Sequence, residues 1–215
     1  MPLLTWWNSS GRPIAMRLLD ISVSVAALLL LSPVLLAIAV GVRLSSPGPA
    51  LYRARRGGKG GTVFTLYKFR TMYVSPAGPA ITRRNDPRVT AFGRFLRRTK
   101  LDELPQLVNL LKGDMSLVGP RPEDPSYLRF YSPDQRRVLD VTPGITSPAT
   151  VRYRHEEAML SGPEWEQVYR DTILPEKLRI ELDYLSRRTL AGDMRVLAHT
   201  AMAIMTRASR IRRRV

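Results

Sequence analysis

Two adjacent carboxylates set among cations are the feature of this chain most able to do chemistry. Asp102 and Glu103 open the stretch LDELPQLVNLLKGDMSLVGPRP, and Arg83, Arg84, Arg88, Arg94, Arg97, Arg98 and Lys100 precede them. Cations at that density bind phosphates and keep a neighbouring carboxylate ionised. Leu104, Leu107, Val108 and Leu111 follow the i, i+3, i+4, i+7 spacing of a buried helical stripe, Pro105 suits a first turn, and Lys112-Gly113 makes a stop. The two acids therefore fall at a helix N-terminus. An ordinary explanation competes there: Thr99 caps the helix with Asp102 at its third position, and both acids favour the positive dipole end.

Further cations come from both sides. Pro120-Arg121-Pro122 fixes Arg121 between two prolines, which stiffens its backbone toward an extended conformation and suits a bidentate grip on phosphate. Upstream, ALYRARR and TVFTLYKFRTM read as two strands joined by GGKGG. That glycine run lacks the spacing of a phosphate-binding P-loop and reads as a turn. In an extended second run Lys68 and Arg70 share a face, and two cations so placed could hold a diphosphate.

The rest of the chain has to position these groups. Its 215 residues suffice for one compact domain with appended elements. The net charge of +16 suits a partner that is nucleic acid, anionic lipid or a highly phosphorylated substrate. Cysteine is absent, which excludes disulfides, thiolate metal sites and a Cys nucleophile; with only His155 and His199, far apart in the sequence, a His-rich metal site or a Ser-His-Asp arrangement has few possible members.

Residues 21–42 run 22 positions without a charge, about 33 Å as a straight helix, enough to span a bilayer. The run is too long for a signal peptide and no cleavage site follows it. Ser32-Pro33 breaks it at the middle, so a kinked span and a re-entrant hairpin compete. Arg12 and Arg17 precede the run and Arg43, Arg53, Arg55, Arg56 and Lys59 follow it; a hairpin keeps both basic flanks on the cytoplasmic side. Trp6-Trp7 suit the headgroup layer. At the other end Leu197, Ala201, Ile204, Ala208 and Ile211 recur at helical spacing, with Arg195, Arg207, Arg210 and the Arg212 to Arg214 run elsewhere. This predicts a basic amphipathic helix on anionic lipid, against the alternative of a core helix with a solvated tail. The expected organisation is a membrane anchor over 1–45, a catalytic domain over 46–190 and a membrane-surface helix over 191–215.

KFRTM (68–72), LDELPQLVNLLKGDMSLVGPRP (101–122), TPGIT (142–146), the Ser32-Pro33 break and Gly192-Asp193 closely resemble the bacterial sugar transferase family, small monotopic phosphoglycosyl transferases that begin lipid-linked glycan assembly. The resemblance implies a helix-rich α/β fold with a small β-hairpin, a re-entrant membrane helix bent at Ser32-Pro33, and interfacial amphipathic helices. It implies transfer of a sugar-1-phosphate from a nucleotide diphosphate-sugar, uridine being the expected nucleoside, to polyprenol (undecaprenyl) phosphate. Asp102 is then the nucleophile of a covalent aspartyl-phosphosugar intermediate and the partner of Mg2+, and Glu103 assists in a role left open. Lys68 and Arg121 match positions close to the phosphates, and Arg70 and Arg88 do so more loosely. The implied location is the bacterial inner membrane, catalytic domain on the cytoplasmic face, with anionic lipids and no nucleic acid as partners and a homodimer left open. After TPGIT the chain departs from the common GWAQVNGR, in a segment that shapes the sugar pocket, so the sugar cannot be named by analogy. A membrane-bound phosphatase or pyrophosphatase is the enzymatic alternative. The other is a membrane-tethered nucleic-acid binder, for which no common recognition motif is present.

Overall fold

The structure, a computed structural model, describes residues 14–74 and 81–212, with side chains to residue 203. Trp6-Trp7, Arg12, Arg213, Arg214 and the side chains of Ile204, Arg207, Ala208, Arg210, Ile211 and Arg212 lie outside the described part of the chain.

The uncharged run forms two helices, α1 (Ile14–Leu30) and α2 (Ser32–Ser45), whose axes differ by 66°. Pro33 has no N–H to offer the carbonyl of Leu29, four residues back. The Ser32 hydroxyl donates to that carbonyl instead, at 2.8 Å, so the break is sealed rather than frayed. No single helix among the described residues is long and apolar enough to cross a membrane, but this bent pair is, by length and composition. Its apex is bare: Leu29, Leu30 and Leu36 are 71, 79 and 68% exposed. Its outer parts are anchored, with Met16, Asp20, Ile38 and Val42 buried. Asp20 of α1 accepts from Leu117 N–H at 2.8 Å and from the Ser116 hydroxyl at 3.2 Å, and Arg17 donates to the carbonyls of Leu110 and Leu111.

The expected hairpin is present. Strand β1 (Leu51–Gly57) pairs antiparallel with β2 (Val63–Phe69), from Leu51 opposite Phe69 to Gly57 opposite Val63. Gly60 and Gly61 carry the turn at φ 67° and 74°, where a Cβ is disfavoured. Inward-facing Ala54 and Leu66 pack on Leu110 and Met115.

Helix α3 (Ala91–Thr99) leads through a 3-10 turn (Leu101–Gln106) into α4 (Leu107–Lys112), which ends at Gly113 with φ 87°, as the Lys112-Gly113 stop predicts. Next, β3 (Ser116–Val118) pairs in parallel with β4 (Gly144–Thr146). The chains then come unusually close: Gly119 N–H donates to Thr146 O at 3.0 Å and Gly144 N–H to Pro120 O at 2.9 Å. A Cβ on Gly144 would sit 2.1 Å from Gly119 N. The words TPGIT and VGPRP are thus two halves of one glycine contact, and it delivers Arg121 to its place. Gly144→Ala is expected to destabilise the protein by about 1–3 kcal/mol or more. In a thermal melt this appears as a fall of at least about 2–4 °C per kcal/mol.

The remaining helices are α5 (Pro148–Arg152), α6 (Glu156–Met159), α7 (Trp165–Val168), α8 (Leu174–Ser186) and α9 (Leu190–Arg212). With Tyr127, Tyr131 and Val138, residues Leu160, Trp165, Tyr169, Leu174 and Leu178 from this region build the largest apolar cluster behind the Arg121 loop. The first turns of α9 belong to the core: Val196 packs with Met16 and Val118, and buried Asp193 pairs with Arg188 at 2.9 Å. Arg188 also donates to Val118 O, so Gly192-Asp193 locks α9 to β3.

Candidate active site

Lys100 ends α3 in the left-handed region, φ 62°, and turns the chain sharply into the 3-10 turn that carries both acids. Leu101 and Leu104 of that turn pack on Ile38, Val42, Phe69 and Leu96, which anchors it against α2, α3 and β2 at once. Thr99 does not cap the acid-bearing turn. Its hydroxyl bonds back to the carbonyls of Phe95 and Leu96 at 2.9 and 3.1 Å, because Thr99 is the last residue of α3 and faces its own preceding turn.

Asn109 completes the anchoring and was not singled out from sequence. Fully buried, it accepts from Tyr67 N–H at 3.0 Å and donates to Thr65 O at 2.7 Å, continuing the β2 ladder with a side chain. An amide set among Leu107, Val108, Leu110 and Leu111 was the available signal.

The two acids have opposite surroundings. Glu103 is gripped by Arg121, Nη2 to Oε1 at 2.6 Å and Nη1 to Oε2 at 3.3 Å, with Lys68 Nζ at 3.4 Å and Lys100 Nζ at 4.0 Å. Burial alone would raise its pKa, but Arg121, Lys68 and Lys100 outweigh burial and hold the carboxyl well below the usual range. Asp102 is 6% exposed, and its buried Oδ1 has no hydrogen-bond partner among the described residues. Burial first, then the charge of Glu103, pushes its pKa up against the pull of Lys68, Arg97 and Lys100. Burial also lowers the Lys68 ammonium to about 8, with Glu103 opposing.

Lys68, Glu103 and Arg121 therefore meet beside Asp102 at one open cleft. Arg88 lines the same cleft and makes a bidentate pair with Asp86, Nη2 to Oδ2 at 2.7 Å and Nε to Oδ1 at 3.0 Å. Arg70 is placed differently from the sequence expectation. It lies one residue beyond β2, and its buried guanidinium donates to the carbonyls of Ser46 at 2.7 Å, Val42 at 3.3 Å, Gly48 at 3.4 Å and Pro47, at the end of α2. Alternation puts Lys68 and Arg70 on one face, but the strand ends between them and α2 supplies the nearer acceptors.

Behind Arg121 lies a buried polar network that sequence reasoning did not find. Lys177 bridges Glu123 at 2.7 Å and Glu156 at 2.9 Å, and the Ser147 hydroxyl donates to Glu181, whose carboxyl burial raises to about 7. These acids sit in helices and loops without a distinguishing pattern, so only the fold reveals them.

No group of three His, Cys, Asp or Glu able to hold a metal occurs among the described residues. Hard dications such as magnesium often take only one or two carboxylates, with water and substrate phosphates completing the shell. Asp102, with a buried and unpartnered oxygen, fits such a single ligand, whereas both oxygens of Glu103 are engaged.

A carboxylate beside Lys68, Lys100 and Arg121, at an open cleft, is an arrangement suited to phosphoryl transfer. The family model of the bacterial sugar transferases matches residues 11–207, and the chain belongs to that family. It is an enzyme, a phosphoglycosyl transferase. It is 37% identical over 195 residues to a UDP-glucose:undecaprenyl-phosphate glucose-1-phosphate transferase of Caulobacter vibrioides, covering 88% of this chain and 69% of that one. A protein of the same name from Xanthomonas campestris pv. campestris is 40% identical over 199 residues, 89% of this chain but 39% of its own length. An exopolysaccharide production protein of Rhizobium leguminosarum bv. phaseoli is 37% identical over 204 residues, covering 89% and 95%.

Proposed function

We propose that this chain transfers a sugar-1-phosphate from a uridine diphosphate-sugar to undecaprenyl phosphate through two displacements at Asp102, as the first membrane step of exopolysaccharide or glycoconjugate assembly. The observation that carries the reading is the unequal acid pair: Glu103 held by three cations, Asp102 with a free oxygen beside them. The names of the relatives supply the substrates.

Lys68, Lys100 and Arg121 take the donor's diphosphate oxygens and neutralise charge as it shifts to the leaving group. The Asp102 carboxylate attacks the phosphorus that bears the sugar. The bond to the nucleoside monophosphate breaks, and an acyl phosphate to the sugar forms. An oxygen of undecaprenyl phosphate then attacks the same phosphorus, frees Asp102 and leaves an undecaprenyl diphosphate-sugar. Glu103 touches no reacting atom in this scheme; it holds Arg121 and Lys68 in place. Magnesium bound through Asp102 would add charge neutralisation at the phosphates.

The bent pair α1–α2 serves as a re-entrant anchor. Both outer ends rest on one body while the apolar apex stands free, so the pair enters and leaves the membrane on one side, with the catalytic part at the cytoplasmic face of the inner membrane.

Incubation with a panel of uridine diphosphate-sugars and magnesium, without acceptor, is expected to release one equivalent of uridine monophosphate and to leave a phosphosugar adduct in the intact mass. Unmodified protein that still forms lipid-linked product would sink the covalent route. Release of inorganic phosphate or soluble sugar phosphate would instead mark a phosphatase or pyrophosphatase.

Because burial brings the Lys68 ammonium down to about 8, donor KM should stay level below that pH and rise about tenfold per unit above it. Bound phosphate stabilises the charged form, so kcat holds to higher pH. Lys68→Arg should remove the alkaline limb of a KM profile measured from pH 6.5 to 9.5.

A further inference from the structure

Two phosphates must reach Asp102 if the reaction proceeds as proposed, one from water and one from the bilayer. Lys68, Lys100 and Arg121 crowd the Glu103 side. The other flank is α3, wedged between the membrane limb and the nucleophile: Phe92 and Leu96 pack on Ile38 and Val42 of α2 and on Leu101 and Leu104 of the Asp102 turn.

The outer face of α3 carries Arg94 and Arg98 one turn apart, with Phe95 between them, 43% exposed. Like charges at i, i+4 destabilise a helix, and these nine residues contain three arginines and no acid to offset them. The dipole at the helix C-terminus accounts for Arg97 and Arg98 but not for Arg94 in the first turn. Arg97 is engaged by Glu157 and Thr71, and Arg94 gives one N–H to Val89 O at 3.0 Å. Neither Arg98 nor Arg43, exposed in the last turn of α2, has a hydrogen-bond or ion-pair partner among the described residues. Arg43, Arg94, Phe95 and Arg98 line the same cleft as Asp102.

We infer that Arg43, Arg94 and Arg98 form the acceptor's phosphate site, a cationic track from the end of the membrane limb to Asp102, with the Phe95 ring against the first isoprene units. This rests on the two-displacement reading above. It assigns the two sides of Asp102 to different phosphates: donor by Glu103, acceptor by α3.

The two half-reactions separate the ideas. Arg94→Gln/Arg98→Gln removes two charges while keeping good helix formers. The full chain is placed in nanodiscs of purely zwitterionic lipid and, separately, of lipid with anionic headgroups. Without acceptor, the amplitude of uridine monophosphate release should stay within about twofold of wild type. With undecaprenyl phosphate, the acceptor KM should rise at least about tenfold, as expected for the loss of one or two charge-assisted contacts, and equally in both lipids. Lysine at both positions should recover part of the loss. The assignment fails if the donor half-reaction collapses in the variant, since the arginines would then hold the donor. It also fails if acceptor KM is unchanged, or if the defect appears only with anionic lipid, which would make the arginines headgroup contacts. A wild-type protein that shows no burst overturns the covalent reading itself, independently of this one.

Discussion

Asp102→Asn is expected to reduce turnover by about 10⁴-fold or more, with no phosphosugar adduct, while the protein melts at a higher temperature than wild type. The amide keeps the side chain's shape but cannot form the acyl phosphate; what remains is the help the cations give to a direct attack by the acceptor. The gain in stability comes from the site's own electrostatics. Burial and the neighbouring Glu103 raise the Asp102 pKa above its unfolded value of 3.8. A group shifted that way contributes stability that is complete below the unfolded value and is lost as pH rises through the folded one. At neutral pH the ionised carboxylate therefore costs the fold free energy, and the neutral amide removes that cost. Each ~1 kcal/mol recovered raises the melting temperature by about 2–4 °C in a chain of this size. Melts in chelator at pH 7 should show the difference, and it should vanish below pH 3.8. Glu103→Gln should behave oppositely, since its pKa is held down and its ionised form binds Arg121. An Asp102→Asn protein that melts lower at pH 7 would mean that the free oxygen has a structural partner.

That asymmetry was not legible in the sequence, where the acids are neighbours with the same local context. It depends on Arg121 from 18 residues away and Lys68 from 35 residues away, both converging on Glu103. Local chemistry read well: the GGKGG turn, the Lys112-Gly113 stop and the Ser32-Pro33 break all arise from the backbone preferences of the residues themselves. It read poorly where two local signals competed. Thr99 has the side chain of a cap, but the left-handed Lys100 closes α3 first and turns the hydroxyl back on that helix. The glycine words were recognisable without being explicable, because Gly119 and Gly144 meet across 25 positions only once β3 and β4 pair.

Arg70 marks the boundary of what alternation along a strand can predict, and its replacement separates the two readings of it. Arg70→Met leaves an apolar chain of similar length in a 6% exposed site, and four carbonyls at the end of α2 lose their donor. Buried acceptors left unsatisfied cost about 1–3 kcal/mol each, less where water can enter. A loss of about 3 kcal/mol overall would lower the melting temperature by roughly 6–12 °C. The same contacts tie α2 to the strand that presents Lys68 two residues earlier, so α2 and Lys68 are held in one frame. Loosening that frame should impair use of the bilayer acceptor more than binding of the soluble donor. Donor KM is expected to stay within about threefold of wild type, because the guanidinium grips carbonyls rather than a phosphate. If donor KM instead rises tenfold or more with the melting temperature unchanged, Arg70 binds the diphosphate as the strand pattern suggests. The end of α2 would then need another partner for the carbonyls of Val42, Ser46, Pro47 and Gly48.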